Sequence, residues 1–154
     1  MSDSRLNPQY TEAVRKTVNQ SPYFLLLSME IRDLQWGIAH LEIELGEKHL
    51  QPFGFVHGGA IASLMDAAAF WAVFPQVENG MGLTTVEMKV NYLAPAQKGK
   101  LVAKGRCLRL GKTLALGDAE IRNAEGGLVA HGTATMMVVP DLHLPGYENL
   151  PPSR

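Results

Sequence analysis

From Gly58 to Phe74 the chain runs through about 17 apolar or small residues, broken only by Ser63 and Asp66, and it halts at Pro75. Such a run belongs at the centre of a fold or of a bilayer. Its length lies at the bottom of the spanning range, and a carboxylate near the middle with two glycines at the start makes spanning costly. The run therefore reads as a core helix. A helix that is apolar on every side must be covered on every side, so the flanking sequence has to supply a wrapper.

Period-two stretches supply it. Ala39, Leu41, Ile43 and Leu45 alternate with His40, Glu42 and Glu44 as in a half-buried strand. Val86, Met88, Val90 and Tyr92 alternate with Thr85, Glu87, Lys89 and Asn91, and further strands follow near 100–110, 113–122 and 128–139. Leu110 to Thr113 and Asn123 to Gly127 read as hairpin turns. Upstream, Pro8 to Asn19 has the spacing of a short amphipathic helix (Tyr10, Ala13, Val14, Val18), which Ser21-Pro22 ends. The expected class is α+β: a curved antiparallel sheet wrapped around one long central helix, with a short N-terminal helix. Residues 1–140 form one domain, with 1–22 as its N-terminal helical segment. The Pro-rich tail 141–154 is expected to be a loosely attached extension.

Composition narrows the function. The 154 residues suit one domain, and 46% hydrophobic content is enough for a core. A net charge of −1 argues against a general nucleic-acid binder. Cys107, the single cysteine, cannot form an internal disulfide, and the polar start has no apolar signal core, so a reducing, cytoplasmic setting is expected. The five histidines lack metal-ligand spacing, so no metal or cofactor is expected. Gly111-Lys112-Thr113 resembles the end of a phosphate-binding loop, but Arg106 stands where that motif needs glycine. No Gly-x-Ser-x-Gly elbow occurs, and Cys107 has no adjacent partner that marks a nucleophile.

Three features carry chemistry. Asp66 is the sole ionisable residue between His57 and Glu78, so it is either a base or nucleophile tuned by a low-dielectric setting, or a structural carboxylate capping a turn or paired with a cation. His57-Gly58-Gly59 opens the helix; its free amides and the positive end of the helix dipole suit a developing oxyanion, although a flexible turn explains the triplet equally. Asp66 lies eight residues beyond Gly58, about 12 Å along the helix, too far to reach a carbonyl held at its own helix N-terminus. If the two cooperate, they come from different subunits. Third, seven basic residues and no acidic one fall between Met88 and Gly117, which suits a phosphorylated ligand and suits solvated strand faces as well.

The run Gln51-Pro-Phe-Gly-Phe-Val-His57-Gly58-Gly59-Ala-Ile-Ala-Ser-Leu64-Met-Asp66, then Thr85 to Ala96, then Gly111-Lys112-Thr113, resembles hotdog-fold acyl-CoA thioesterases of the phenylacetate-pathway and 4-hydroxybenzoyl-CoA types. The resemblance spans residues 25 to 139. It implies a homodimer joined edge to edge, with dimers pairing into homotetramers, and active sites at the subunit interface. It implies that Asp66 acts as general base or nucleophile, that the Gly58 amide beside His57 polarises the thioester carbonyl, and that Gln51 orients the attacking group. Thr85 is implied to assist the carboxylate, with Thr84 as competitor because the loop before it varies in length. Many members carry Asn at the Gln51 position; some aromatic-CoA thioesterases carry Gln. Gly59, Asn91, Tyr92, Lys104, Arg106, Gly111, Lys112 and Thr113 are implied as contacts of the acyl-CoA substrate. Phe53, Phe55, Phe70, Trp71 and Phe74 either line an acyl pocket or are plain core. Two rivals share the fold. A non-catalytic acyl-CoA sensor would need no reactive carboxylate, and a hydratase would need a carboxylate–histidine pair in another order.

Overall fold

The computed structural model describes residues 5–146 and 150–153. Helix α1 spans Pro8–Asn19: Asn7 caps it by accepting from the Gln9 amide at 3.0 Å, Pro8 occupies its first turn, and Tyr10, Val14 and Val18 are buried. A short second helix, α2 (Pro22–Leu27), follows at once and stops where Ser28 enters the left-handed region at φ 52°. The sequence reading did not foresee α2. Ser21-Pro22 reads locally only as a stop, whereas a proline in the first turn also starts a helix.

Six strands make one antiparallel sheet: β1 (Met29–Gln35), β2 (Ile38–Glu44), β3 (Met81–Tyr92), β4 (Lys100–Leu110), β5 (Leu114–Asn123) and β6 (Leu128–Pro140), in the order β1-β2-β4-β5-β6-β3. The apolar run forms α3 (Gly58–Val73), which continues into a 3-10 turn at Phe74–Gln76. Segment Gly58–Gln76 is long and apolar enough to cross a membrane, yet the sheet buries it. Ala60, Ile61, Leu64, Met65, Ala68, Ala69, Ala72 and Val73 are all buried. The expected long helix in a curved antiparallel sheet is what forms.

The helix sits close because both surfaces are small. A Cβ on Gly105 of β4 would overlap the Ala68 carbonyl, and one on Gly117 of β5 would lie 3.0 Å from the Ala69 carbonyl. These glycines are therefore demanded by packing and not by backbone conformation.

The two sheet edges differ. Along β1 the Asn19 side chain accepts from the Ile31 amide at 2.8 Å and donates to the Ile31 carbonyl at 3.2 Å, and Arg15 donates to the same carbonyl. That edge is occupied by α1. Among the described residues, the free edge of β3 has no such cover, and Thr84, Val86 and Glu87 on it are exposed. The described part of the C-terminal tail is docked: the Asn7 amide donates to the Pro152 carbonyl at 2.8 Å, and Leu144 and Leu150 pack against the core. The loose extension expected there overlooked these leucines, which give the tail an apolar hold.

Candidate active site

Asp66 projects from the side of α3 that the sheet leaves uncovered. Thr85 of β3 donates its hydroxyl to Asp66 Oδ1 at 2.8 Å, while Thr84 is exposed, so of the two hydroxyls it is that of Thr85 that meets the carboxylate. Strict alternation would forbid this contact: Met88 and Val90 pack towards the helix, which puts Thr85 on the opposite parity. A β-bulge between Thr85 and Glu87 resolves the conflict. The extra residue, Val86, turns outward at 52% exposure and brings Thr85 inward.

Around this pair opens a cleft of about 500 Å³, lined by Tyr23 and Phe24 of α2, Ser63, Phe70 and Trp71 of α3, and Met88 of β3. Its walls are mostly apolar and Asp66, which lines it, is half-buried. A single chain thus leaves the carboxylate only partly desolvated. Tyr23, Ser63 and Met88 were missed from the sequence. Tyr23 belongs to the unforeseen α2, where its hydroxyl lies 2.7 Å from Ser63 Oγ, and Ser63 in turn donates to the Gly59 carbonyl at 2.8 Å. Ser63 was legible in principle, because it sits one helical turn before Asp66 on the same face.

The N-terminus of α3 forms a second cleft of about 420 Å³, bounded by Gln51, Phe55, Gly58, Ile61, Tyr92 and Pro95. His57 is the N-cap, and its Nδ1 accepts from the Gly59 amide at 2.8 Å. This engages Gly59 within its own turn and fixes the His57 ring against the start of α3. Gly58 differs: among the described residues its amide donates to no acceptor, while its carbonyl accepts from the Tyr92 hydroxyl at 3.0 Å. The Gln51 Oε1 accepts from the Phe53 amide, which leaves the carboxamide NH2 as the free donor end. Buried His49 ties this loop to α2: its Nδ1 accepts from the Gly46 amide at 2.9 Å, its Nε2 donates to the Leu27 carbonyl at 2.6 Å, and its own carbonyl accepts from the His57 amide.

The fold therefore gathers the expected site residues into two groups, Asp66 with Thr85 and Gly58 with Gln51, His57 and Tyr92. Eight helical residues, about 12 Å, separate them. The other expected contacts fall elsewhere in one chain. Lys104 and Arg106 alternate with Gly105, which faces the helix, so both lie on the outer face of the sheet. There Arg106 grips Asp118 with two hydrogen bonds, at 3.0 and 2.6 Å, and His131 lies 3.5 Å from the same carboxylate. Burial pushes the Asp118 carboxyl up, but Arg106, joined by His131, outweighs this and holds it below its ordinary 3.8. Lys104 faces Glu120 in the strand register, and Asn91 faces His131. Gly111, Lys112 and Thr113 form the β4–β5 turn and line neither cleft. Of the aromatic candidates, Phe70 and Trp71 line the Asp66 cleft and Phe55 the Gly58 cleft, Phe74 is core, and Phe53 is 86% exposed. Burial also pushes the Cys107 thiol up, away from the thiolate a nucleophile requires.

A long helix held in a curved six-stranded antiparallel sheet is the architecture of the hotdog fold. Residues 53–130 match the family described as the Thioesterase superfamily, and the chain belongs to that family. Acyl-coenzyme A thioesterase 13 of Homo sapiens is 34% identical over 101 residues, covering 64% of this chain and 71% of that protein. A thioesterase family protein from Silicibacter pomeroyi superposes with a TM-score of 0.79 at 28% identity, covering 85% of this chain and 98% of its own. The PaaI protein of the Escherichia coli phenylacetic acid degradation operon shares the fold with a TM-score of 0.77 at 21% identity, covering 84% and 93%. Family membership supports thioester hydrolysis as the activity.

Proposed function

We propose that the protein is an acyl-CoA thioesterase whose active site is completed across a dimer interface. The observation that carries this is the division of the site: the carboxylate and the open amide sit in separate clefts, and neither cleft holds the other group. The open edge of β3 supports the same reading. An isologous pairing about a two-fold axis between Met88 and Lys89 of β3 brings Thr85 of one strand beside Tyr92 of the other. Asp66 of one subunit then faces Gly58 of the partner subunit.

In that arrangement the thioester carbonyl oxygen accepts from the Gly58 amide, at the positive end of α3, where negative charge builds in the transition state. Thr85 holds Oδ1 of Asp66, and Oδ2 acts. Either it takes a proton from water as the water oxygen attacks the carbonyl carbon, or it attacks that carbon itself to give a mixed anhydride that water then opens. In both routes the carbon–sulfur bond breaks, the thiolate of CoA takes up a proton, and the acid is released. The Gln51 NH2 is the orienting donor. The apolar cleft beside Asp66 receives the acyl group, and the acyl-CoA thioesterase among the relatives supports CoA as the thiol. A further pairing of dimers into a tetramer is supported by exposed Leu114, Leu116 and Met137, which neighbour one another on the outer face.

Asp66→Asn keeps the shape and removes the base, so thiol release from acyl-CoA should fall by about 10³-fold or more with the fold intact. Turnover unchanged in the purified variant would overturn the assignment.

A further inference from the structure

Beyond the Asp66 cleft lies a second apolar cavity, of about 200 Å³, lined by Phe70, Trp71, Phe74, Leu83, Leu142 and Leu144. Phe70 and Trp71 are common to both spaces, so these two rings are the partition between them. Trp71 is 8% exposed and locked in the core, with its ring 5.0 Å from Phe74, edge to face. Phe70 is only half-buried and stacks on Phe74 at 5.8 Å, one turn of α3 beyond Asp66 and about 6 Å further along its axis. The far cavity is roofed by Leu142, which is 45% exposed and comes from the docked tail.

We propose that Phe70 is the stop that sets acyl length: the acyl group enters beside Asp66 and ends against the Phe70 ring, while the space under Leu142 stays out of reach. The substrate class that follows, resting on the thioesterase reading above, is a short aliphatic or single-ring aryl acyl-CoA. Removing the ring joins the two cavities into one tunnel running beneath the tail. Longer chains then gain buried methylenes, each improving affinity by about fourfold.

The test compares wild type, Phe70→Ala, the milder Phe70→Leu and the double variant Phe70→Ala/Leu142→Trp. It follows thiol release across straight-chain acyl-CoAs from butanoyl to hexadecanoyl together with phenylacetyl-CoA. Binding of the non-hydrolysable thioether analogues is measured by calorimetry in parallel. Wild type should prefer the short and aryl substrates. Phe70→Ala should move the optimum to chains at least two carbons longer, with on the order of tenfold gain for them. Phe70→Leu should lie between, and Leu142→Trp, by refilling the far cavity, should cancel the gain. A wild type that prefers long chains, a profile unmoved in folded Phe70→Ala or Phe70→Leu, or a gain that survives Leu142→Trp overturns the proposal. Failure of wild type to release thiol from any acyl-CoA would instead refute the thioesterase reading, and the calorimetric length profile would still decide the role of Phe70.

Discussion

Each half of the proposed site rests on a single chemical group that can be removed by one substitution. Gly58 is the first residue of α3 after its His57 cap, where proline is well tolerated because no helical hydrogen bond is lost. Gly58→Pro deletes the proposed oxyanion donor and should lower kcat by about 10²- to 10³-fold. Gly58→Ala keeps the amide while placing a Cβ 3.3 Å from the Tyr92 ring, so it isolates crowding from donor loss. Equal losses in the two variants by steady-state kinetics would remove the amide from the mechanism. Asp118 offers a separate check on the outer face. Its carboxyl titrates below 3.8 in the fold, so the stability it contributes is complete above the ordinary value and is lost as pH falls through the lowered one. Asp118→Asn should therefore destabilise at neutral pH and flatten the acid limb of a chemical-denaturation profile below pH 3.8. An unchanged acid limb would contradict the pairing with Arg106.

At the scale of elements, α3 approaches β4 so closely that Gly105 has no room for a side chain. Gly105→Ala should cost about 1–3 kcal/mol, read from denaturant midpoints. A neutral effect would mean that the helix can shift away from the strand. The elements themselves were mostly legible in the sequence. Period-two runs marked β2, β4, β5 and β6 to within a residue or two, and an apolar run broken only by Ser63 and Asp66 marked α3. Two misreadings share a cause, which is that one local signal has two meanings. Ser21-Pro22 both ends α1 and starts α2, and the alternation through Thr85 to Tyr92 hides the bulge at Val86 that turns Thr85 inward. A bulge leaves little trace in composition, because it is decided by what β6 pairs with. Lys104 and Arg106 carried a charge pattern that fitted a phosphorylated ligand. Which face of β4 they occupy depends on Gly105 meeting the helix, and no local pattern records that.

At the scale of the molecule, the chain protects one sheet edge and leaves the other open. Asn19 and Arg15 close β1, while among the described residues no strand pairs with the outer side of the twelve-residue β3. The Asp66 group meets that strand at Thr85 and the Gly58 group meets it at Tyr92, seven residues on. The proposed edge pairing would answer two needs at once, covering exposed backbone and completing two sites. The test follows from this geometry: Asp66→Ala and Gly58→Pro chains are co-expressed with different tags, and heterodimers are counted by native mass spectrometry. Each variant alone should be inactive. In a random mixture half the dimers are mixed, and each of those carries one site with both groups intact, so activity should return to about a quarter of wild type. Mixed dimers as inactive as either parent would show that Asp66 and Gly58 do not serve one site from opposite subunits.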